Sequence, residues 1–376
     1  MPKFVSLYTG AGGLDLGFIA AGYTPVFAND INADAMKTYT AASEMISRRI
    51  GRPLSHRIVT GDIREVEQLP ERGCADLVIG GPPCQGFSVA GKMDPNDPRS
   101  RHVFDFLAMV ERVQPKAFVM ENVKALAQNK RWSGTIADIR AKAESIGYKT
   151  HLKVLNSADY GVPQIRERMI LVGFKDESAY ESFVYPEPTV GTPVPVSSVL
   201  NSLPRAGQPG NDQVCTAKVT TANTPILRVS PFAGMLFNGQ GRPMDMGRPA
   251  PTLPASMGGN RTPIVDQETL DTGARQWVVQ YHDELMRGGK VAEAVPRRLR
   301  RITVQEAAAI QTFPRDMPWY GSQSSRYRQI GNAVPPKMAF EVAKVVGAAL
   351  GLRLTTDAGM LEKLGVQQGA EMVDPA

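Results

Sequence analysis

Residues Gly81-Pro82-Pro83-Cys84-Gln85-Gly86-Phe87-Ser88 place a thiol directly after two prolines and the apolar run Asp76-Leu77-Val78-Ile79-Gly80. Proline fixes φ near about −65° and offers no amide donor, so the strand stops and the following side chains are held in one orientation. That placement suits a nucleophile. Alone, Cys84 reads more readily as a small buried hydrophobe. Two further motifs shift the balance. Glu121 ends a second β-rich run, Val119-Met120-Glu121-Asn122-Val123, and Pro163-Gln164-Ile165-Arg166-Glu167-Arg168 leads into an apolar run over 169–174. Strand carboxyl ends in a parallel sheet converge on one edge, so Cys84 and Glu121 are expected to face one cleft. Side-chain alternation predicts that Arg166 and Arg168 point to the same side, into that site. A thiol, a carboxyl group and two arginines suit addition to an electron-poor ring. The thiolate attacks, the acid protonates or hydrogen-bonds a ring nitrogen, and the arginines lower the thiol pKa and fix the acid. None of these motifs contains histidine, which disfavours a Cys/His hydrolytic pair.

A cofactor site is expected upstream. The first strand runs into Tyr8-Thr9-Gly10-Ala11-Gly12-Gly13-Leu14-Asp15, where glycines let the backbone approach a ligand before a helix begins. Asp15 stands where the dinucleotide pattern needs its third glycine, and an acid in this loop suits a diphosphate poorly. A cationic or zwitterionic cofactor without phosphates, S-adenosylmethionine foremost, fits better. Asp30, ending the second strand, is placed to accept from ribose hydroxyls. Asp62, after the third, is placed to accept from an adenine amine, with Ile63 packing on the ring. Helix N-capping is the competing reading for both acids.

These groups need a frame. Short apolar runs over 4–8, 25–29, 76–80, 117–121, 149–156 and 168–174 alternate with amphipathic stretches over 32–45, 103–113 and 134–146. The alternation predicts an α/β fold, a doubly wound, mostly parallel sheet covered by helices. After Lys175 the texture changes: 13 of the 29 prolines fall between Pro186 and Pro263, which predicts a smaller, irregular or β-rich second domain. Helical periodicity returns over 303–313, where Thr303 and Glu306 have capping-box spacing, and over 336–350. The predicted division is 1–185 for catalysis and cofactor, completed by 315–350; 186–300 for target recognition; 301–314 as return segment; and 351–376 as tail.

Composition sets outer bounds. The 376 residues suffice for two domains, and 42% hydrophobic with 21% charged content is that of a soluble globular enzyme. Three cysteines without a CxxC pair disfavour disulfides and structural zinc and point to a reducing compartment. The N-terminus shows no signal peptide, and no apolar run approaches membrane-spanning length. A net charge of +6 permits a polyanionic partner.

Taken together, these motifs resemble those of the cytosine-5 DNA methyltransferase family, the bacterial modification enzymes in particular. The matching segments are 6–18, 28–31, 61–63, 80–88, 121–123 and 164–168, then 300–314 and 327–335 after a variable region. The resemblance implies a site-specific methyltransferase in which Cys84 adds to carbon-6 of a cytosine flipped out of duplex DNA. Glu121 would bind ring nitrogen 3 and the exocyclic amine, Arg168 would assist at the ring carbonyl, and Arg166 would orient this network or contact the target. The methyl group would pass from S-adenosylmethionine to carbon-5, with no metal. Tyr8, Gly10, Gly12, Asp30, Asp62, Ile63, Pro83 and Asn332 would form the cofactor site, Tyr8 standing where phenylalanine is common.

The stretch from Ser88 to Arg101 resembles the family's mobile loop, with Gly86 and Gly91 as hinges and Ser88, Lys92, Arg99 and Arg101 reaching DNA. The proline-rich insert falls at the family's target-recognition domain, where Thr252 and Leu253 resemble its Thr-Leu pair. Arg261 reads a base, or else holds a phosphate or the fold. The cluster Arg297-Arg298-Leu299-Arg300-Arg301 is expected to hold phosphates or to tie the domains together. The implied setting is a monomer in the bacterial cytoplasm, in a restriction-modification system with an endonuclease sharing its target or as an orphan enzyme. The rivals are a tRNA cytosine-5 methyltransferase and a catalytically silent DNA-binding relative.

Overall fold

The computed structural model describes residues 1–83, 101–234, 236–237, 241–354 and 359–366. The chain divides into two compact units. The first comprises Met1–Tyr160, Glu167–Thr189 and Ala333–Val366; the second comprises Gly161–Arg166 and Val190–Asn332. Residues 315–332, expected with the first unit, group with the second, and the chain returns at Ala333.

In the first unit β1 (Lys3–Leu7), α1 (Gly13–Ala20), β2 (Thr24–Asp30), α2 (Ala33–Ile50), β3 (Arg57–Thr60), β4 (Leu77–Gly80), α3 (His102–Val113), β5 (Ala117–Val123), α4 (Lys124–Gln128), α5 (Ser133–Ser145), β6 (Lys149–Asn156), β7 (Glu167–Phe174) and α6 (Glu177–Ser182) follow in order. The seven strands form one sheet in the order β3-β2-β1-β4-β5-β7-β6. The pairings from β3 to β5 are parallel, whereas β7 is antiparallel to both β5 and β6.

Two consequences position chemistry. The strand order reverses between β1 and β4, whose ends pair as Leu7↔Gly80, so the glycine loop and the Gly81-Pro82-Pro83 segment leave from neighbouring strand ends. Such a switch point opens a crevice at the carboxyl edge of a sheet. Because β7 runs antiparallel, its first residues lie beside the last residues of β5, with Arg168 opposite Val123. β4 is buried throughout, as a strand covered on both faces must be. Phe106, Phe118, Trp132 and Leu171, all fully buried, anchor the main core, each contributing roughly 1.5–3 kcal/mol.

The second unit carries α7 (Val196–Leu200), the two-residue strands β8 (Thr220–Thr221) and β9 (Leu236–Phe237), β10 (Ile264–Asp266), α8 (Gln267–Thr272), α9 (Trp277–Met286), β11 (Leu299–Arg301), α10 (Val304–Ile310) and α11 (Gln323–Asn332). Among the described residues its strands form the two-stranded ladders β8–β9 and β10–β11, with isolated bridges at Gln164–Ala250 and Pro243–Ile264. Side-chain bonds to backbone compensate for this sparse pairing. Arg301, 3% exposed, donates to the carbonyls of Ala217, Lys218, Asn260 and Thr262. Thr303 and Glu306 close the expected capping box, and Arg300 grips Glu306 through two bonds of 2.8 and 2.7 Å. Arg298 pairs with Asp266 and Glu268. Arg298, Arg300 and Arg301 are therefore internal cross-ties of this unit, with most of their N–H donors bonded within it; Arg297 is exposed. The chain then re-enters the first unit through α12 (Pro336–Ala349), which packs on α1, and α13 (Gly359–Lys363).

Candidate active site

Glu121 sits near the end of β5, 8% exposed, with Oε1 2.9 Å from Nε of Arg168 at the start of β7. The antiparallel strand brings the guanidinium to the acid. Arg168 also donates to the carbonyl of Glu167 at 2.8 Å, which fixes its orientation. Gly81 passes close by: a Cβ there would lie 2.8 Å from Glu121 Oε2, so the backbone approaches the carboxyl as only glycine allows. Asn122 Nδ2 donates 3.1 Å to the carbonyl of Pro82, tying the proline segment to β5. Neither contact is visible as spacing in the sequence. Cys84, Ser88, Lys92 and Arg99, and the hinges expected at Gly86 and Gly91, lie outside the described residues.

Across the switch point, Tyr8, Gly10 and Gly12 turn the chain with φ of 54°, 56° and 84°. A Cβ on Gly12 would come within 2.7 Å of the Tyr39 ring, so the loop rests directly on α2. Asp30 Oδ2 accepts from the Gly10 amide at 2.9 Å and Oδ1 from the Asn32 amide at 2.8 Å. It braces the glycine loop, while Asn32 caps α2. Burial pushes the Asp30 carboxyl above the usual carboxylate range, and the amides of Asn32, Gly10 and Ile31 work against that shift. Asp62 caps a short helical turn at Ile63–Glu65 and pairs with Arg64, whose hydrogen bonds hold the acid down at about 2. Ile63, 5% exposed, packs into the main core. The Tyr8 hydroxyl lies 3.3 Å from both Nδ1 and the carbonyl oxygen of His102, a neighbour no sequence motif signalled.

Four sequence expectations change. Asp15 does not face the loop's ligand side: it is 1% exposed beneath it, bonded to Ser6 and Tyr39, so its charge says nothing about phosphates. Arg166 groups with the second unit, whereas Arg168 lies at the start of β7 in the first. Arg166 is fully buried, donating to the carbonyls of Gly331 at 2.8 Å and Leu253 at 3.4 Å. Strand alternation fails as a guide there because Arg166 precedes β7. Leu253 is fully buried, its amide bonded to Gln164 Oε1, and so presents no side chain to DNA. The bonds of the basic cluster around Arg300 tie the second unit to itself and do not link it to the first.

Thr252 is exposed but donates to the Ile165 carbonyl, and exposed Arg261 reaches Ser256. Asn332 is exposed at the end of α11 in the second unit, and exposed Arg101 precedes α3. Among the described residues no helix is long and apolar enough to cross a membrane, and no cluster of metal-ligating side chains occurs.

Comparison with known proteins converges with this geometry. Residues 2–348 match the family model described as C-5 cytosine-specific DNA methylase. The chain is 30% identical over 366 residues to Type II methyltransferase M1.HphI of Haemophilus parahaemolyticus, covering 91% of this chain and 86% of the relative. It is also 30% identical over 357 residues to M.FnuDI of Fusobacterium nucleatum, covering 93% and 95%. The fold resembles the solved Dnmt2 methyltransferase of S. pombe, with TM-score 0.61, 16% identity and coverage of 94% and 100%. It likewise resembles the Entamoeba histolytica methyltransferase EhMeth, with TM-score 0.60, 15% identity and coverage of 93% and 99%. A mostly parallel sheet with its acid at the carboxyl edge, matched over nearly its whole length, places this chain in the C-5 cytosine-specific DNA methylase family, as a DNA (cytosine-5-)-methyltransferase.

Proposed function

We propose that the enzyme methylates cytosine within a short site in duplex DNA, using Cys84 as covalent nucleophile and the Glu121–Arg168 pair as its polar partner. The 2.9 Å contact between those two side chains carries the reading. Extruding the base costs a few kcal/mol of stacking and pairing. The Cys84 thiolate adds to carbon-6, and the electron pair moves into the ring toward carbon-5. Glu121 holds ring nitrogen 3 and the exocyclic amine, so the added negative charge is met by a hydrogen bond. Arg168 keeps the acid in place and assists at the ring carbonyl. Once carbon-5 is methylated, its proton leaves and the Cys84 thiolate is expelled, restoring aromaticity.

The glycine turns and the carboxylates of Asp30 and Asp62, at the ends of β1, β2 and β3, suit a nucleoside cofactor without phosphates. S-adenosylmethionine, when bound, supplies an electrophilic methyl group. Tyr8, Gly10, Gly12, Asp30, Asp62, Ile63, Pro83 and Asn332 would line its site, with Arg166 and Gln164 positioning the backbone around Leu253. Ser88, Lys92, Arg99, Arg101, Thr252 and Arg261 would contact DNA. The setting is a cytoplasmic modification enzyme, monomeric, in a restriction-modification system with an endonuclease of shared specificity or acting alone.

The test is bisulfite sequencing of plasmid DNA from a methylation-free host expressing the chain, with Cys84→Ser alongside. Protected cytosines in one short motif, lost in the variant, are expected. Protection persisting in the variant would overturn the covalent scheme.

A further inference from the structure

Beneath the glycine loop runs a continuous chain of polar groups that the reaction does not use. Thr9 Oγ1 lies 2.9 Å from Ser6 Oγ, which lies 2.8 Å from Asp15 Oδ1. Asp15 Oδ2 lies 2.9 Å from Tyr39 Oη, and Tyr39 Oη lies 3.0 Å from His56 Nε2. His56 Nδ1 lies 2.8 Å from the Leu54 carbonyl oxygen. Ser6, Asp15 and Tyr39 are each at most 2% exposed.

Counting protons constrains this chain. A carbonyl only accepts, so His56 Nδ1 must carry hydrogen. Tyr39 has one hydrogen and, besides Ser43, two short polar contacts, to Asp15 and to His56. If Asp15 were ionised and His56 neutral, one of those contacts would join two lone pairs. Both contacts become hydrogen bonds only when the network holds one further proton. That proton sits on Asp15, which then donates to Tyr39 while Tyr39 donates to neutral His56. Otherwise it sits on His56 Nε2, with the two hydrogen bonds reversed and the carboxylate charged. The second arrangement buries two opposite charges separated by a tyrosine, and burial disfavours each of them.

We propose that Asp15 is a positioning residue kept in its neutral, protonated form, which locks Tyr39 beneath Gly12 and so holds the glycine loop ready for the cofactor. The proposal rests on the reading that this loop carries the cofactor. Asp15 binds the first turn of α1 to β1 through Ser6, and to α2 through Tyr39. The Tyr39 ring is also the surface against which Gly12 packs. Ser6 passes the constraint to Thr9 inside the loop. The groups facing Asp15 are hydroxyls, with Ser43 acting on Tyr39 from α2 and His56 beyond it. Burial pushes Asp15 up to about 7 and pushes His56 below the usual imidazole range, both toward the neutral forms. Loss of the shared proton leaves Tyr39 donating to the carboxylate and breaks its bond to His56, which releases one side of the loop's support.

The experiment combines two readouts on the full chain. Infrared difference spectra with isotope-labelled aspartate report the carboxyl state, and calorimetric titration reports affinity for S-adenosylhomocysteine. A protonated-carboxyl band is expected near pH 6, absent in Asp15→Asn and lost as pH rises through about 7. Affinity of the unaltered protein is expected to fall about fivefold between about pH 6 and about pH 8. Asparagine donates to Tyr39 and accepts from Ser6, as the neutral acid does, so Asp15→Asn should hold its affinity across that range. Tyr39→Phe should bind weakly at both pH values. An ionised Asp15 near pH 6, or an unchanged pH slope in Asp15→Asn, would overturn the proposal. A titrating band in a protein that binds no S-adenosylhomocysteine at either pH would instead remove the cofactor reading of the loop, and the positioning role with it.

Discussion

Two arginine settings in this enzyme serve different purposes. At the edge of the seven-stranded sheet, Arg168 meets a carboxyl group, and the pair sits where β5 and β7 exchange backbone hydrogen bonds. The sheet itself needs no help from that guanidinium. In the second unit, Arg166 and Arg301 are buried and donate to backbone carbonyl oxygens. There the strands are two or three residues long. A fork of five donors satisfies backbone acceptors that a longer ladder would otherwise cover. Asp15 completes the contrast, as a buried acid in the first unit served by hydroxyls. What surrounds a charged group, not its type, decides whether it does chemistry, carries structure or stays neutral.

The sharpest way to separate these roles is Glu121→Gln. It preserves shape and burial but removes the charge that Arg168 meets, so methyl transfer should slow about 10²–10⁴-fold in single turnover. Unfolding should change little by comparison. A near-normal rate would take Glu121 out of the chemistry.

Arg301→Leu attacks the other use of arginine. It leaves four carbonyl oxygens without their donor, and denaturant titration should register a loss of about 3–5 kcal/mol. Protease sensitivity should rise within residues 190–332, because the lost ties lie there. An unchanged midpoint would show that the guanidinium is not what holds this unit.

Asp15→Asn tests the acid without an arginine through stability. Burial pushes the Asp15 carboxyl up to about 7 in the folded chain, against an ordinary value of 3.8. Between those values the folded chain keeps a proton that the unfolded chain has released. The contribution is therefore full below pH 4 and lost as pH rises toward 7, amounting to at most about 4 kcal/mol. Asp15→Asn should flatten the stability profile across that window; the same slope in both proteins would place the titration elsewhere.

Much of this was legible in the chain itself. Strand–helix alternation gave the α/β class, and the capping box at Thr303 and Glu306 formed as spaced, because both depend on local periodicity and short-range hydrogen bonds. Glu121 was readable because a strand's carboxyl end in such a sheet has one destination. Asn122 and His102 were not readable, since their partners, Pro82 and Tyr8, lie 40 and 94 residues away in sequence.

By itself the sequence determined the family and the α/β frame and named candidate residues for the chemistry, because each is written in contiguous motifs. Only the tertiary structure decided what the charged groups do. Gln164, Arg166 and Arg168 stand within five residues, yet Gln164 and Arg166 hold carbonyl and amide groups of the second unit while Arg168 meets an acid of the first. Asp15 follows the glycine loop in sequence but lies buried beneath it. Burial and the partners available on neighbouring elements set desolvation and hydrogen bonding, and neither is encoded by spacing along the chain.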